Sequence, residues 1–362
     1  MTVAIVGGGP AGAAVAITLA RLGQHALVLE AAPAAQAKVG ECLPPSSAPV
    51  LRQLGLDSAL VADGHVQSHG NRSSWGSDDT VDQDFLFGVH GPGWHLSRQA
   101  FESLLARAAV ENGAEWRYAA TVTDVERRAN SWDVSVVDGG GGRQVIEADF
   151  VVDASGRRSS VGRCLGARRV AYDRLVGAAA LLEPRGAGLA DTYALVEAVP
   201  NGWWYSALVA GGRLAVAYMT DADLPELRRA RQADGWWQLL HETRLTRARA
   251  CGYRPADTPR VLAASSARLT SIVGDGWLAV GDAAAAHDPL SSHGILSALG
   301  GGIYAGQAIA ALLAGHADAG VAYVSLLQRA YTSYLEAQYD CYLAESRWPE
   351  SAFWARRRPS AS

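Results

Sequence analysis

Two histidines and two aspartates crowd one short loop of this chain, GDAAAAHDPLSSHG (Gly281 to Gly294). His287 and His293 are of the residue type that titrates closest to neutral pH. They are therefore candidates for moving a proton to a leaving oxygen or from a ring hydroxyl. Glu41, within VGECLPPSS, is a further acid/base candidate, placed to orient a loop over a bound ring. Four aromatic residues, Trp75, Trp203, Trp204 and Tyr205, are of the type that lines a pocket for a flat substrate. Serine, histidine and aspartate occur together by count only, and nothing arranges them as a hydrolase triad.

Three strand-to-helix turns position these groups. The first, MTVAIVGGGPAGAAVAITLARLGQHALVLE, reads as strand, glycine turn, helix, second strand and terminal acid. Gly7 allows the tight turn, Gly9 lets backbone amides approach a pyrophosphate, and Gly12 lets helix and strand pack closely. Ala11 lies in the same phosphate-facing turn. The helix N-terminus offers unpaired N–H groups and a positive dipole end. Glu30 is placed to accept hydrogen bonds from a ribose diol, so the unit predicts an adenine dinucleotide site. The second turn is DASGRRSSVGR (Asp153 to Arg163), and the third opens Gly281-Asp282-Ala283. An aspartate at such strand ends, Asp153 or Asp282, can hold a ribityl hydroxyl. The helix after the third turn can face the N1–C2=O edge of a flavin. An NAD-only enzyme has no use for this third element, so the dinucleotide is read as FAD.

The bulk composition bounds the rest. At 362 residues and 49% hydrophobic, the chain is one large or two intimately joined domains. A formal charge of −4 gives no global attraction to nucleic acid or anionic membrane. Four widely spaced cysteines suggest neither a disulfide framework nor a zinc site, so no metal is expected and a reducing cytoplasm suits the chain. The uncharged run from Ile295 to Gly315 is long enough to raise the question of a membrane span. Its three consecutive glycines favour a buried helix. Periodicity predicts helices over 97–112, 225–250, 293–315 and 318–345, and strands over 121–125, 132–137 and 145–152. The fold class expected is α/β: a Rossmann-type, parallel-sheet FAD-binding domain with an inserted, mainly antiparallel β substrate domain and C-terminal helices. Residues 1–64, 98–170 and 260–330 form the first, 65–97 and 171–259 the second, and 331–362 a C-terminal helix and tail.

With these motifs in order, the chain resembles flavin-dependent monooxygenases of the p-hydroxybenzoate hydroxylase fold. It looks closest to two branches, the flavin-dependent halogenases and the tryptophan-modifying flavoproteins that mature quinone-cofactor amine and amino-acid oxidases. VGECLPPSS, NRSSWGS (Asn71 to Ser77), NGWWYSAL (Asn201 to Leu208), DPLSSHGI and AESRWPESAFWARRR carry the second likeness from end to end. The resemblance implies that Gly7, Gly9 and Gly12 serve the pyrophosphate and Glu30 the adenosine ribose. It implies that Arg98 reaches phosphate or ribose, that Val122 offers backbone groups to adenine, and that Asp282 binds pyrophosphate or ribityl oxygens. Gly294 and Ile295 would lie under the ring, and Lys38 would approach the cofactor. Ser292 and His293 stand where that family carries glycine and glutamine. Halogenases of the fold use a lysine after the VGE stretch and a W-x-W-x-I-P motif; here the stretch reads Asn71-Arg72-Ser73-Ser74-Trp75, and Lys38 is the chain's single lysine. The activity implied is hydroxylation of an electron-rich aromatic, a tryptophan side chain in a peptide or a tryptophan-like small molecule, through a flavin C4a-hydroperoxide formed from O₂. NAD(P)H or a separate flavin reductase would supply electrons. The alternatives are a halogenase, a flavoprotein reductase of the same fold, or a non-catalytic flavoprotein partner of an oxidase.

Overall fold

The computed structural model describes residues 1–186 and 191–358. Residues 187–190 of the expected inserted domain and 359–362 of the expected tail lie outside the described residues. The chain opens with strand β1 (Thr2–Val6), helix α1 (Pro10–Arg21) and strand β2 (His25–Leu29). β1 and β2 are almost wholly buried, as strands covered on both faces must be. Pro10 sits in the first turn of α1, where its missing N–H costs nothing. The turn between them explains two glycines: Gly7 has φ +109°, and a Cβ on Gly12 would lie 2.1 Å from the Gly7 carbonyl oxygen.

Short strands follow: β3 (Cys42–Leu43), β4 (Gly70–Ser74), β5 (Val81–Asp84) and β6 (Gly93–His95). Then comes helix α2 (Arg98–Glu111), capped by the Ser97 hydroxyl, which accepts from the Ala100 N–H. The next segment was expected to contain one strand over 145–152; it splits in two at Asp149. The Asp149 carboxylate accepts the Thr2 N–H at 2.6 Å, and its own N–H donates to the Thr2 carbonyl. Residues 143–148 therefore finish an antiparallel meander, while β7 (Phe150–Asp153) runs parallel to β1.

The larger sheet is built around β8 (Leu175–Pro184), β9 (Ala194–Val199), β10 (Gly202–Val209) and β11 (Arg213–Asp221). β4 joins β9 in parallel and β5 closes the far edge. Strand Arg260–Ala263 also pairs with β8, so this sheet runs slightly past the expected boundary at 259. The single helix expected over 225–250 is three short ones: Pro225–Ala230, Ala233–His241 and Leu245–Ala250. Buried Glu197 on β9 causes the last break, since its carboxylate accepts the N–H groups of Arg244, Leu245 and Thr246.

β12 (Trp277–Ala279) returns the chain to the first sheet beside β7 and leads into helices α3 (Gly294–Leu313), α4 (Asp318–Ala344) and α5 (Ala352–Ala355). α3 is long and apolar enough to span a membrane; here it lies along α1. A Cβ on Gly302 would meet the Ala11 carbonyl oxygen and the Ala14 Cβ at 2.6 Å, and one on Gly306 would meet Thr18 at 2.7 Å. Numbering rises in the same direction along both helices, so they run parallel. Gly302→Val should therefore cost about 3 kcal/mol by overpacking, read as a fall of several degrees in thermal midpoint. An unchanged midpoint would contradict the close contact.

Candidate functional site

One end of the site is built on the β1–α1 turn. The Glu30 carboxylate accepts the Gly8 N–H at 2.7 Å and the Ala32 N–H at 2.8 Å, which fixes its direction. It lines a cleft with Gly8, Lys38, Glu102 and Tyr118. Open space surrounds the position a Cβ would take on Gly9. Ala119 and Ala120 donate to the carbonyls of Ala32 and Glu30, which brings the strand containing Val122 alongside. These features fit the ribose and pyrophosphate of a dinucleotide. Gly8 carries a constraint that motif spacing did not show: a Cβ there would strike Trp116 and Glu30.

Two of the expected cofactor residues, Asp153 and Arg98, are differently employed. Asp153 is fully buried, and its carboxylate is taken up by the Ser155 N–H and hydroxyl and by the Gly162 N–H, so it caps its own turn. Arg98 clamps the loop before Glu41, donating to the carbonyls of Val39 and Gly40 and pairing with Glu102 at 2.6 Å. Lys38 also pairs with Glu102, at 2.7 Å, on the adenosine side of the cleft. Asp282 keeps a half-exposed carboxylate, 3.4 Å from Arg157.

The other end lies at the N-terminus of α3. Gly294 is exposed with open space where a Cβ would be, Ile295 is buried behind it, and exposed His293 precedes it. Facing this turn is the Glu41–Cys42 segment. Glu41 is 4% exposed. Burial holds its carboxyl above the usual range, only partly offset by the Gly40 N–H at 2.7 Å and by the Tyr205 phenol, which faces it. Burial likewise pushes the Cys42 thiol up to about 11. His287 is packed edge-on against Tyr334 at 4.5 Å and Tyr331 at 5.5 Å. Burial drives it down to about 4, so near neutral pH it is an uncharged imidazole with no proton to donate as an acid.

The aromatic candidates divide by the pleat of β10. Trp203 and Tyr205 share one face; Trp204 points to the other, stacked on Tyr218 at 4.9 Å and against Trp236 in the core beneath the short helices. Trp204 is therefore a packing residue. Trp75 and Trp203 share an apolar face but lie under the C-terminal segment: Trp75 meets Trp354 edge-on at 5.2 Å and donates to the Cys341 carbonyl. Trp203 donates to the Tyr342 hydroxyl at 3.0 Å, and that hydroxyl donates to Asp288 at 2.7 Å. Asp288 also accepts from Gln338 and Leu290, and burial raises its carboxyl. The α4 residues Gln338 and Tyr342, which tie the loop to the sheet, belong to no motif; only their place on a long helix hints at them.

The profile of the FAD binding domain matches residues 1–323. The chain belongs to the FAD-binding domain family. Over 359 residues it is 32% identical to the putative FAD-dependent oxidoreductase LodB of Marinomonas mediterranea, covering 98% of this chain and 95% of that one. Its fold is similar to the flavin-dependent halogenase CmlS, with a TM-score of 0.91 at 25% identity over 100% of this chain and 68% of the other. It is also similar to the peptidyl tryptophan dihydroxylase QhpG, with a TM-score of 0.75 at 26% identity over 99% and 79%. As a member of this FAD-binding family the chain is an enzyme of the flavin-dependent oxidoreductase and halogenase type. The Glu30 turn, the amide end of α1, Asp282 and the amide end of α3 are the groups that would hold FAD.

Two measurements follow from this geometry. Glu30→Ala strips an acceptor from two amides and from the ribose, so FAD should bind about 10- to 100-fold more weakly; unchanged retention would contradict the assignment. Glu41 has a folded-state pKa above its ordinary value of 4.5. Its ionisation therefore costs stability, increasingly as pH rises through and above that value. Glu41→Gln should gain thermal midpoint over the parent at pH 8 more than at pH 4.5, and an equal difference at both would contradict the burial argument.

Proposed function

We propose that this enzyme is an FAD-dependent monooxygenase that hydroxylates an electron-rich aromatic, a tryptophan side chain carried on a peptide or protein. The observation that carries the reading against halogenation is the position of the one lysine. Lys38 is paired with Glu102 in the cleft lined by Gly8 and Glu30, a cleft that Gly294 does not line. No other lysine exists to receive and relay an oxidised halide. The peptidyl substrate is supported by the likeness to QhpG, which spans 99% of this chain. Halogenation is the second reading, favoured by the closer superposition on CmlS.

Reduced FAD, when bound, supplies activated oxygen for transfer to the ring; NAD(P)H or a separate flavin reductase supplies the electrons. The chain's own residues do the rest. α1 and α3 would direct backbone N–H groups toward bound FAD, where they favour negative charge. Glu41 is the proton-handling group: its carboxyl is buried, oriented by the Gly40 N–H, and held toward the protonated form near the turn that precedes α3. His287, uncharged at neutral pH, carries no imidazolium proton to give, and its packing against Tyr331 and Tyr334 keeps it a spacer behind the loop. His293, exposed at the mouth, is the second group within reach of solvent-borne protons. The sealed aromatic layer under α4 and α5 excludes water from the sheet side of the site.

Holoenzyme supplied with reductant, O₂, bromide and a tryptophan-containing peptide should give a product heavier by oxygen and free of the bromine isotope doublet. A doublet would overturn the reading. Glu41→Gln should retain FAD yet turn over about 100-fold more slowly; full activity would remove Glu41 from the mechanism.

A further inference from the structure

The loop between β5 and β6 carries the most exposed large apolar side chains among the described residues. Leu86, Phe87 and Val89 are 81%, 90% and 93% exposed. It follows directly on β5, the last strand of the eight-stranded sheet, whose outer edge pairs with nothing among the described residues. An uncovered edge beside uncovered apolar side chains is a template for an incoming extended chain.

The edge is also acidic. Asp78, Asp79, Asp82 and Asp84 lie in the stretch leading into and along β5. Arg347 pairs with Asp78 and Arg72 with Asp82. Asp79 and Asp84 have no cationic partner among the described residues. Edge-to-edge pairing with a second copy would set these aspartates against their equivalents, which like-charge repulsion opposes. A basic, extended segment meets no such penalty.

The same edge is continuous with the reactive end of the site. Phe85 packs at Gly93, whose Cβ position is 3.4 Å from the Phe85 ring and 2.8 Å from the Leu43 carbonyl oxygen. β6 then pairs with β3, and Leu96 donates to the Glu41 carbonyl at 2.8 Å. A chain docked on β5 is thereby held beside the strand pair that carries Glu41.

We propose that β5 and the loop after it are the docking edge for the polypeptide substrate. An extended substrate segment adds a strand to β5, rests apolar side chains on Leu86, Phe87 and Val89, and sets a basic residue against Asp79 or Asp84. This rests on the reading of the substrate as peptidyl tryptophan.

The test compares two substrates with the holoenzyme: N-acetyltryptophanamide, and a short synthetic peptide with one tryptophan, alternating valine and threonine, and lysines at one end. Leu86→Ser combined with Phe87→Ser should raise KM for the peptide about tenfold, with kcat and turnover of the amide unchanged. An unchanged peptide KM overturns the proposal. Independently of turnover, Phe87→p-benzoylphenylalanine should photo-crosslink the peptide saturably, and unlabelled peptide should compete. Crosslinking only to a second copy of the chain, or none at all, overturns it as well. Should the parent enzyme oxidise neither substrate, the monooxygenase reading falls, and the crosslink alone decides the docking edge.

Discussion

The close contact between α1 and α3 is the constraint on which the site depends. Gly302 and Gly306 let the two helices approach until a single added methyl group would collide with the Ala11 carbonyl oxygen at one position and the Thr18 side chain at the other. Because they run parallel, both N-termini emerge at the same end of the parallel sheet. Gly302 stands level with the first turns of α1, and Gly294 lies eight residues earlier in α3. At 1.5 Å per residue the N-terminus of α3 therefore projects about 12 Å beyond that level. Two positive helix ends are thus offset along one line, one beside the Glu30 turn and one beside Glu41. A compact anion would use one such end; an elongated dinucleotide with a charged ring edge uses both.

A second layer of interactions fixes the ring-facing end. Asp288 gathers hydrogen bonds from Tyr342, Gln338 and Leu290, and Tyr342 in turn receives the Trp203 indole N–H. Buried polar groups with these partners are rigid, because breaking any one leaves another unsatisfied in a low-dielectric interior. The C-terminal segment closes the same layer: Arg357 pairs with Asp221 at 2.7 Å and stacks over Phe353 at 3.7 Å. The loop before α3 is consequently tied to the larger sheet and to the chain's last helices, far from it in sequence.

What could be read from the sequence follows how local the physics is. The Gly7–Gly12 turn, Glu30 and the start of α3 were legible because sterics and helix-end polarity act within a few residues. Asp153 misled because an acid at a strand end looks the same whether it holds a ligand or caps its own turn. Arg98 and Lys38 share Glu102, a residue of α2 that no motif singled out. Alternation along β10 separated Trp204 from Trp203, but neither face meets solvent: α4 and α5 cover one and the short helices after β11 cover the other. The break in the 225–250 helix was invisible for a similar reason, since Glu197 imposes it from a distant strand.

The two helix ends, the buried Glu41 and the sequestered lysine are the features behind the proposed transfer of oxygen to a ring held near Gly294. The most direct test is a single turnover of the reduced holoenzyme with ¹⁸O₂ and a tryptophan-containing peptide, followed by mass spectrometry. The account predicts that the indole gains ¹⁸O in step with flavin reoxidation. Unlabelled peptide, with all the oxygen recovered as hydrogen peroxide, would contradict it.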